Sequence, residues 1–282
     1  MKHVEEEVWK VFNEQATIAY EDWKKTNPEK KIHDDAFFIL GELYGYETSG
    51  GRKYYFNDNP VDYFDYGYDA MINFGFKRHA IAPYKELFKR YDGFRDSLLL
   101  DTPPKDPAYF MNYISSHDDG QPFDAARERT FESATKLLLS PGMAQIYYGD
   151  EVARPLIIEG TKGDATLRSV MDWDTSDTDL LSHWQKLGKY RNNHPAVGAG
   201  SHHSLEHDGS GTIFARWYDK NGFKDQIIAG AGLKDGNMTI EVTRVFKEAT
   251  QLRNAYTGAV LDVVNGKVTV QVNRGVVLLE AI

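Results

Sequence analysis

The 282 residues contain no cysteine. That excludes disulfides, thiolate metal sites and a cysteine nucleophile, and it leaves the compartment open. No apolar run approaches the ~20 residues of a membrane-spanning helix. Positive charge is in deficit: 33 Lys and Arg stand against 42 Asp and Glu, for a net charge of −9. This argues against a nucleic-acid binder, which needs a basic face. The opening residues, MKHVEEEVWK, carry acids and a tryptophan where a signal peptide has a plain apolar stretch. What is present is apolar material, 41% hydrophobic and 13% aromatic. That suffices for one large domain or two ordinary ones.

Periodicity orders the chain. Residues 3–26 read as a helix, with Val4, Val8, Trp9, Val11, Phe12 and Ile18 near a 3.6-residue period and acids in the first turn. Asn27-Pro28 ends it. Ala36–Leu40 is apolar on both alternating faces, as in a strand buried on both sides of a parallel sheet. Residues 44–68 read as a Tyr-rich loop, followed by a second apolar run, Ala70–Phe76, and a helix over 79–92. Asp101–Pro107 is a proline-rich break before a third strand, Tyr109–Ser115. A helix over 124–139, a fourth strand at Met143–Tyr148 and an amphipathic helix over 179–193 complete this half. Strands alternating with helices imply βαβ units.

Past residue 200 the texture changes. Period-two runs such as Ile213–Tyr218 and Lys267–Val272 are separated by Asp208-Gly209, Asn221-Gly222, Asp235-Gly236 and Asn265-Gly266. These are the signals of an antiparallel β unit with tight turns. The expected division is 1–200 and 201–282.

Three of the first-half strands run into acids: Glu42, then His117-Asp118-Asp119, then Asp150-Glu151. In closed parallel barrels the reactive groups lie where strands end. Converging carboxylates with a histidine suit glycoside hydrolysis, in which one acid protonates the leaving oxygen while another attacks or stabilises an oxocarbenium-like centre. Equally, such acids serve as helix N-caps, and the tyrosines serve either as sugar-stacking rings or as packing for their own loop. His202, His203 and His207 resemble a metal cluster, but they fall in a Gly- and Ser-containing stretch that reads as a solvated loop.

These strand ends resemble the α-amylase superfamily, glycoside hydrolase family 13, and in particular the bacterial periplasmic and cell-surface α-amylases. Phe38-Ile39-Leu40-Gly41-Glu42-Leu43-Tyr44-Gly45 resembles the strand of the general acid/base, which implies that role for Glu42. Tyr113–Asp118 resembles the strand ending in a His-Asp pair, which implies a sugar contact for His117 and transition-state stabilisation for Asp118. Pro141–Glu151 is similar to the last barrel strand. Arg168, Met171 and Trp173 follow an R-x-P-M-x-W pattern in which Val170 replaces the proline, and Arg191–Gly200 resembles the final barrel helix.

Lys2-His3 resembles the end of the G-F-R-x-D-x-x-K-H motif. This implies leaving-group contacts for Lys2 and His3, beside Tyr44, and a calcium ligand in the backbone carbonyl of His3. The motif's nucleophilic Asp lies three residues before the Lys, a position that precedes the first residue. The resemblance therefore implies the last four strands of a (β/α)8 barrel followed by a β-sandwich. It implies an α-1,4-glucan hydrolase of the retaining type, acting on starch or maltodextrins, that is truncated and inactive alone. The alternatives are a carbohydrate-binding remnant, or one half of a split enzyme needing a complementary N-terminal half-barrel chain. Calcium belongs to the full-length parent with its site incomplete here, and that parent is expected in the periplasm or at the cell surface.

Overall fold

The computed structural model describes residues 1–92, 109–118, 120–171, 173–174, 177–220 and 222–282. The break at 101–107, Asp119 and Asn221 lie outside these residues. The chain divides into two compact units, Met1–Phe76 with Ser97–Asn112, and Lys77–Asp96 with Tyr113–Ile282.

The first unit opens with the helix Glu6–Thr26, whose Glu6 and Glu7 begin it and whose Lys24 and Lys25 end it. Both pairs complement the helix dipole. The strands are β1 (Leu40–Gly41), β2 (Tyr54–Phe56), β3 (Asn59–Val61), β4 (Ala70–Asn73) and β5 (Tyr109–Asn112). β1 and β5 both pair with β4 in parallel. The stretch read as loop contains the β2–β3 hairpin, turned by Asn57 at φ 57°, a backbone region asparagine tolerates. Leu43, Tyr46, Val61, Tyr63, Tyr68 and Met71 form this unit's core.

Two expectations are corrected here. The strand is Leu40–Gly41 rather than Ala36–Leu40, and Phe37 and Phe38 are exposed, not buried on both faces. Among the described residues of this unit β1 is paired with a strand on one edge alone. The helix's apolar stripe divides: Trp9 packs against the core, and the rest is open. Val8, Val11, Phe12 and Ile18 are each more than half exposed, and its buried residues are Asn13 and Lys24. Asn13 Nδ2 donates to Tyr66 O at 2.9 Å.

In the second unit the region expected as one helix over 79–92 holds the helix Tyr84–Lys89, preceded by Pro83, which suits a helix entrance and not an interior. The helix Thr130–Leu139 begins six residues later than expected. Asp124 explains the delay, since its carboxylate accepts the N–H groups of Glu128 and Arg129 at 2.9 Å and folds residues 124–129 into turns. β6 (Met143–Ala144) is shorter than expected. The helix Thr178–Asn193 matches its expected span. Asp177 caps it through Asp179 N and Leu180 N, and Leu180, Trp184, Leu187 and Tyr190 are buried.

After the short helix Pro195–Ala199 come β7 (Ser201–Leu205), β8 (Thr212–Lys220), β9 (Phe223–Ala231), β10 (Gly236–Glu241), β11 (Gln251–Asn254), β12 (Ala259–Asp262), β13 (Lys267–Val272) and β14 (Val277–Ala281). Six of them make one antiparallel sheet in the order β12-β11-β14-β9-β8-β7, and β10 pairs with β13. Val268, Val270 and Val272 alternate inward, as period two requires. They close a core with Ile213, Ala215, Ile228, Leu252, Val277 and Leu279 of the larger sheet. His202 corrects the expectation of a solvated loop: it lies buried in β7, where Arg216 Nε donates to its Nδ1 at 3.0 Å. Burial, then the Arg216 charge, pushes its pKa well below the ordinary value. His203 is exposed on the same strand, and His207 approaches the carbonyls of Asp208 and Gly211.

Candidate active site

Glu42 follows β1 directly. Leu43 and Tyr46 turn into the core, and this alternation leaves Glu42 and Tyr44 exposed. Gly41 makes the geometry possible, because a Cβ there would lie 2.7 Å from Met71 Sδ and 2.9 Å from the Tyr68 ring. Gly41→Ala is therefore expected to destabilise this unit by about 1–3 kcal/mol through overpacking, measured by urea unfolding. An unchanged midpoint would mean that Tyr68 and Met71 yield freely.

Lys2 is held beside this turn. Its Nζ donates to Tyr44 O at 3.1 Å and to Tyr54 Oη at 3.3 Å, and it lies 5.1 Å from the centre of the Tyr44 ring. The Tyr44 ring, 69% exposed, packs edge-on against Phe74 at 5.3 Å. His3 is exposed. The tyrosine run divides by role: Tyr46, Tyr63 and Tyr68 are core, while Tyr44 and Tyr55 present faces to solvent. Burial drives the Tyr63 hydroxyl up to about 12.

Sequence reasoning missed a polar feature of the strand ends. Asn73 and Asn112 are in register at the ends of β4 and β5. Both are buried, and Asn73 Nδ2 donates to Asn112 Oδ1 at 2.9 Å. Asparagine closing each apolar run was the available signal.

His117 and Asp118 belong to the second unit. Ile114, Ser115 and Ser116 are buried, after which the chain surfaces with His117 and Asp118 exposed at 65% and 50%. Three contacts set this turn. Ser116 Oγ donates to Asp118 Oδ1 at 3.0 Å, His117 Nε2 lies 3.8 Å from Asp118 Oδ2, and Arg168 Nε donates to His117 O at 2.8 Å. Arg168 is thus a backbone clamp on the His-Asp pair.

Asp150 is not a surface carboxylate. Its side chain is buried, Arg127 reaches Oδ1 at 2.7 Å and Ser115 Oγ donates to Oδ2 at 2.5 Å. Burial pushes its carboxyl above the usual range, while the Arg127 charge and the Ser115 hydroxyl pull the other way. Asp150 therefore supports the strand that leads to His117-Asp118 and has no open path to a sugar.

Calcium takes six to eight oxygen ligands. Among the described residues the one group of three potential ligands is Glu5, Glu6 and Glu7, exposed on the first helical turn. That group falls short of the six to eight oxygens calcium takes, and His3 contributes no side chain to it. No helix among the described residues is long and apolar enough to cross a membrane.

The first unit thus carries an exposed glutamate at the end of a parallel strand, and the second, described by itself, carries a clamped and exposed His-Asp pair; carboxylates are the groups that glycosidases use. The chain resembles the α-amylase superfamily of glycoside hydrolases over part of the length of its members. No family model matches it. It is 33% identical over 217 residues to the periplasmic α-amylase of Escherichia coli (strain K12), an alignment covering 72% of this chain and 28% of that protein. The α-amylase of Anoxybacillus superposes with a TM-score of 0.66 at 20% identity, covering 100% of this chain and 57% of that one. The α-amylase of Geobacillus thermoleovorans, solved with acarbose, gives 0.67 at 17% identity, covering 99% and 58%. The chain thus spans under a third of the E. coli relative and somewhat over half of the two solved structures.

Proposed function

We propose that this chain carries the acid/base part of a retaining α-amylase-type glycosidase acting on α-1,4-glucans such as starch and maltodextrins. Residues 1–200 form the back half of its barrel and 201–282 a β-sandwich. The observation that carries the reading is Glu42, standing out into solvent at the end of a parallel strand beside Lys2 and the exposed Tyr44 ring. Glu42 protonates the leaving glycosidic oxygen and then deprotonates water. Asp118 stabilises the oxocarbenium-like centre, and His117, Lys2, His3 and Tyr44 hold the sugars. Within these 282 residues nothing corresponds to the nucleophilic Asp of the G-F-R-x-D pattern, so the covalent step needs a carboxylate from outside them.

A second observation favours a partner segment. The edge of β1 that pairs with no strand among the described residues, the exposed Phe37 and Phe38, and the exposed Val8, Val11, Phe12 and Ile18 are surface that a complementary half-barrel would cover. The whole protein is placed in the periplasm or at the cell surface, in keeping with the location in the E. coli relative's name.

The test is reducing-sugar release from soluble starch. The chain alone is expected to give none. Adding a polypeptide with the first four strands of such a barrel restores turnover, and Glu42→Gln lowers it by about 10²–10⁴-fold, the usual contribution of a general acid/base. Restored turnover that survives Glu42→Gln overturns the assignment. Maltoheptaose binding that persists while complementation fails supports the carbohydrate-binding remnant instead.

A further inference from the structure

A groove of about 880 Å³ lies in the second unit, away from Asp118 in sequence. Its origin is a mismatch between the two β-sheets. Ile213, Ala215 and Trp217 alternate onto one face of β8, and the first two lie in the core that β10 and β13 cover. Trp217 comes next along that face. It is half-buried, borders the core and lines the groove. Gln226 opposes it across the β8–β9 register and is exposed. The larger sheet thus runs on past its cover and leaves a strip of inner face open.

The loop between β10 and β11 walls this strip. Val245 and Phe246 are buried in the core and anchor the loop, while Arg244, Lys247, Thr250 and Gln251 are exposed along the groove. The Trp217 ring is steadied from the neighbouring strand by His203, edge-on at 5.1 Å.

We propose that this groove is a non-catalytic oligosaccharide site whose ligand is a segment of α-glucan chain. The chemistry selects a sugar. An indole face meets the C–H surface of a pyranose ring, and the Gln226 amide and Thr250 hydroxyl both donate to and accept from sugar hydroxyls, beside the Gln251 amide, whose Nε2 donates to Asp262 Oδ1 at 2.8 Å. The guanidinium and ammonium groups add donors, while Glu248 on the same loop and a net charge of −9 disfavour a polyanion. A purely apolar ligand would leave these polar walls unpaired. The α-glucan identity rests on the proposed function, whereas the sugar class does not.

The experiment follows tryptophan indole signals by NMR in the full chain titrated with maltoheptaose. Trp217 is assigned by its loss in Trp217→Phe. The expected result is a saturable shift of the Trp217 signal that is unchanged in Glu42→Gln. Gln226→Ala, at an exposed position, is expected to weaken binding about fivefold through one lost hydrogen bond while leaving the circular dichroism unaltered. An unmoved Trp217 signal with maltoheptaose overturns the α-glucan site. A response to cellohexaose alone overturns the α-linkage and keeps a sugar site, and silence with both removes the site altogether. None of these outcomes depends on turnover, so they are read separately from the test of Glu42.

Discussion

Asp150→Ala is expected to cost about 3–5 kcal/mol of folding free energy, the usual loss when one partner of a buried ion pair is removed. The side chains of Asp150 and Arg127 are 1% and 11% exposed and meet at 2.7 Å. Without the carboxylate, the guanidinium stays in a low-dielectric setting with no counter-charge. It cannot simply swing out. Its Nε is held by Arg154 O at 2.7 Å, and its backbone sits at φ 59°. Arg154 is itself fixed, with its guanidinium 4.0 Å from the centre of the Tyr148 ring and bonded to the carbonyls of Tyr148 and Leu167.

Urea unfolding followed by circular dichroism measures the loss. The companion variant Asp150→Leu with Arg127→Met is expected to regain most of it, since replacing both members of a buried pair with apolar groups of similar size is often neutral. A single-variant loss below about 1 kcal/mol, the scale of an exposed pair, would show that water reaches Arg127. The consequence for the site is direct: Ser115, bonded to Asp150, lies two residues before His117.

Stability is expected to fall on both sides of about pH 6.5, from two histidines of opposite sign. His194 Nδ1 lies 2.8 Å from Asp225 Oδ1 and its Nε2 lies 2.6 Å from Glu280 Oε2. Burial works against its charge, but the hydrogen bonds to Asp225 and Glu280 outweigh burial and raise its pKa. A raised folded-state value means that the stabilisation is fully present below about 6.5 and is lost as pH rises through the folded value. The groups that face it include Arg253, which donates to Glu280 Oε1 at 2.5 Å, and the Tyr190 ring at 4.6 Å. For Asp225, burial is likewise outweighed, chiefly by His194, and its pKa is lowered. That stabilisation exists above the ordinary carboxylate range and disappears only in strong acid.

His183 has the reverse sign. Burial holds it down to about 4, between Tyr256 Oη at 2.7 Å from Nδ1 and Thr135 Oγ1 at 2.9 Å from Nε2. The Phe131 carbonyl, which can only accept, assigns the proton to Nε2. The unfolded chain takes up a proton near 6.5 and the folded chain near 4. Stability therefore falls over that interval by about 3 kcal/mol and levels off below it. Calorimetric melting from acid to mildly alkaline pH checks both. His194→Gln is expected to flatten the alkaline limb and to lower the melting temperature at neutral pH. His183→Gln is expected to flatten the acid limb. A wild-type alkaline limb identical to that of His194→Gln would show that the imidazole is not held charged between its two carboxylates.

The α-helix Thr178–Asn193 and the alternating strand Lys267–Val272 were legible because their cores are matched by period alone. Glu42, His117 and Asp118 were legible as residues that close apolar runs, and their resemblance to known strand-end motifs gave them roles. Asp150 shows where such reading stops. It closes an apolar run as Glu42 does, yet the structure buries one and exposes the other. The difference comes from Arg127, 23 residues away in sequence, at 2.7 Å in space. His202 fails for a similar reason: its partner Arg216 arrives from the next strand.

Local propensities, turn residues and hydrophobic period are short-range properties, so the chain order alone determined that helices and strands alternate in the first part, that a β-rich part with tight turns follows, and that Glu42 closes an apolar run. Burial and charge pairing are long-range. Only the tertiary structure decided that Val8, Val11, Phe12 and Ile18 of the first helix are exposed while Trp9 meets the core, that Asp150 is a support for the His117 turn, and that one strip of the larger sheet beside Trp217 is left uncovered. Each of these depends on which distant segment arrives to cover a surface, and no window of neighbouring residues contains that information.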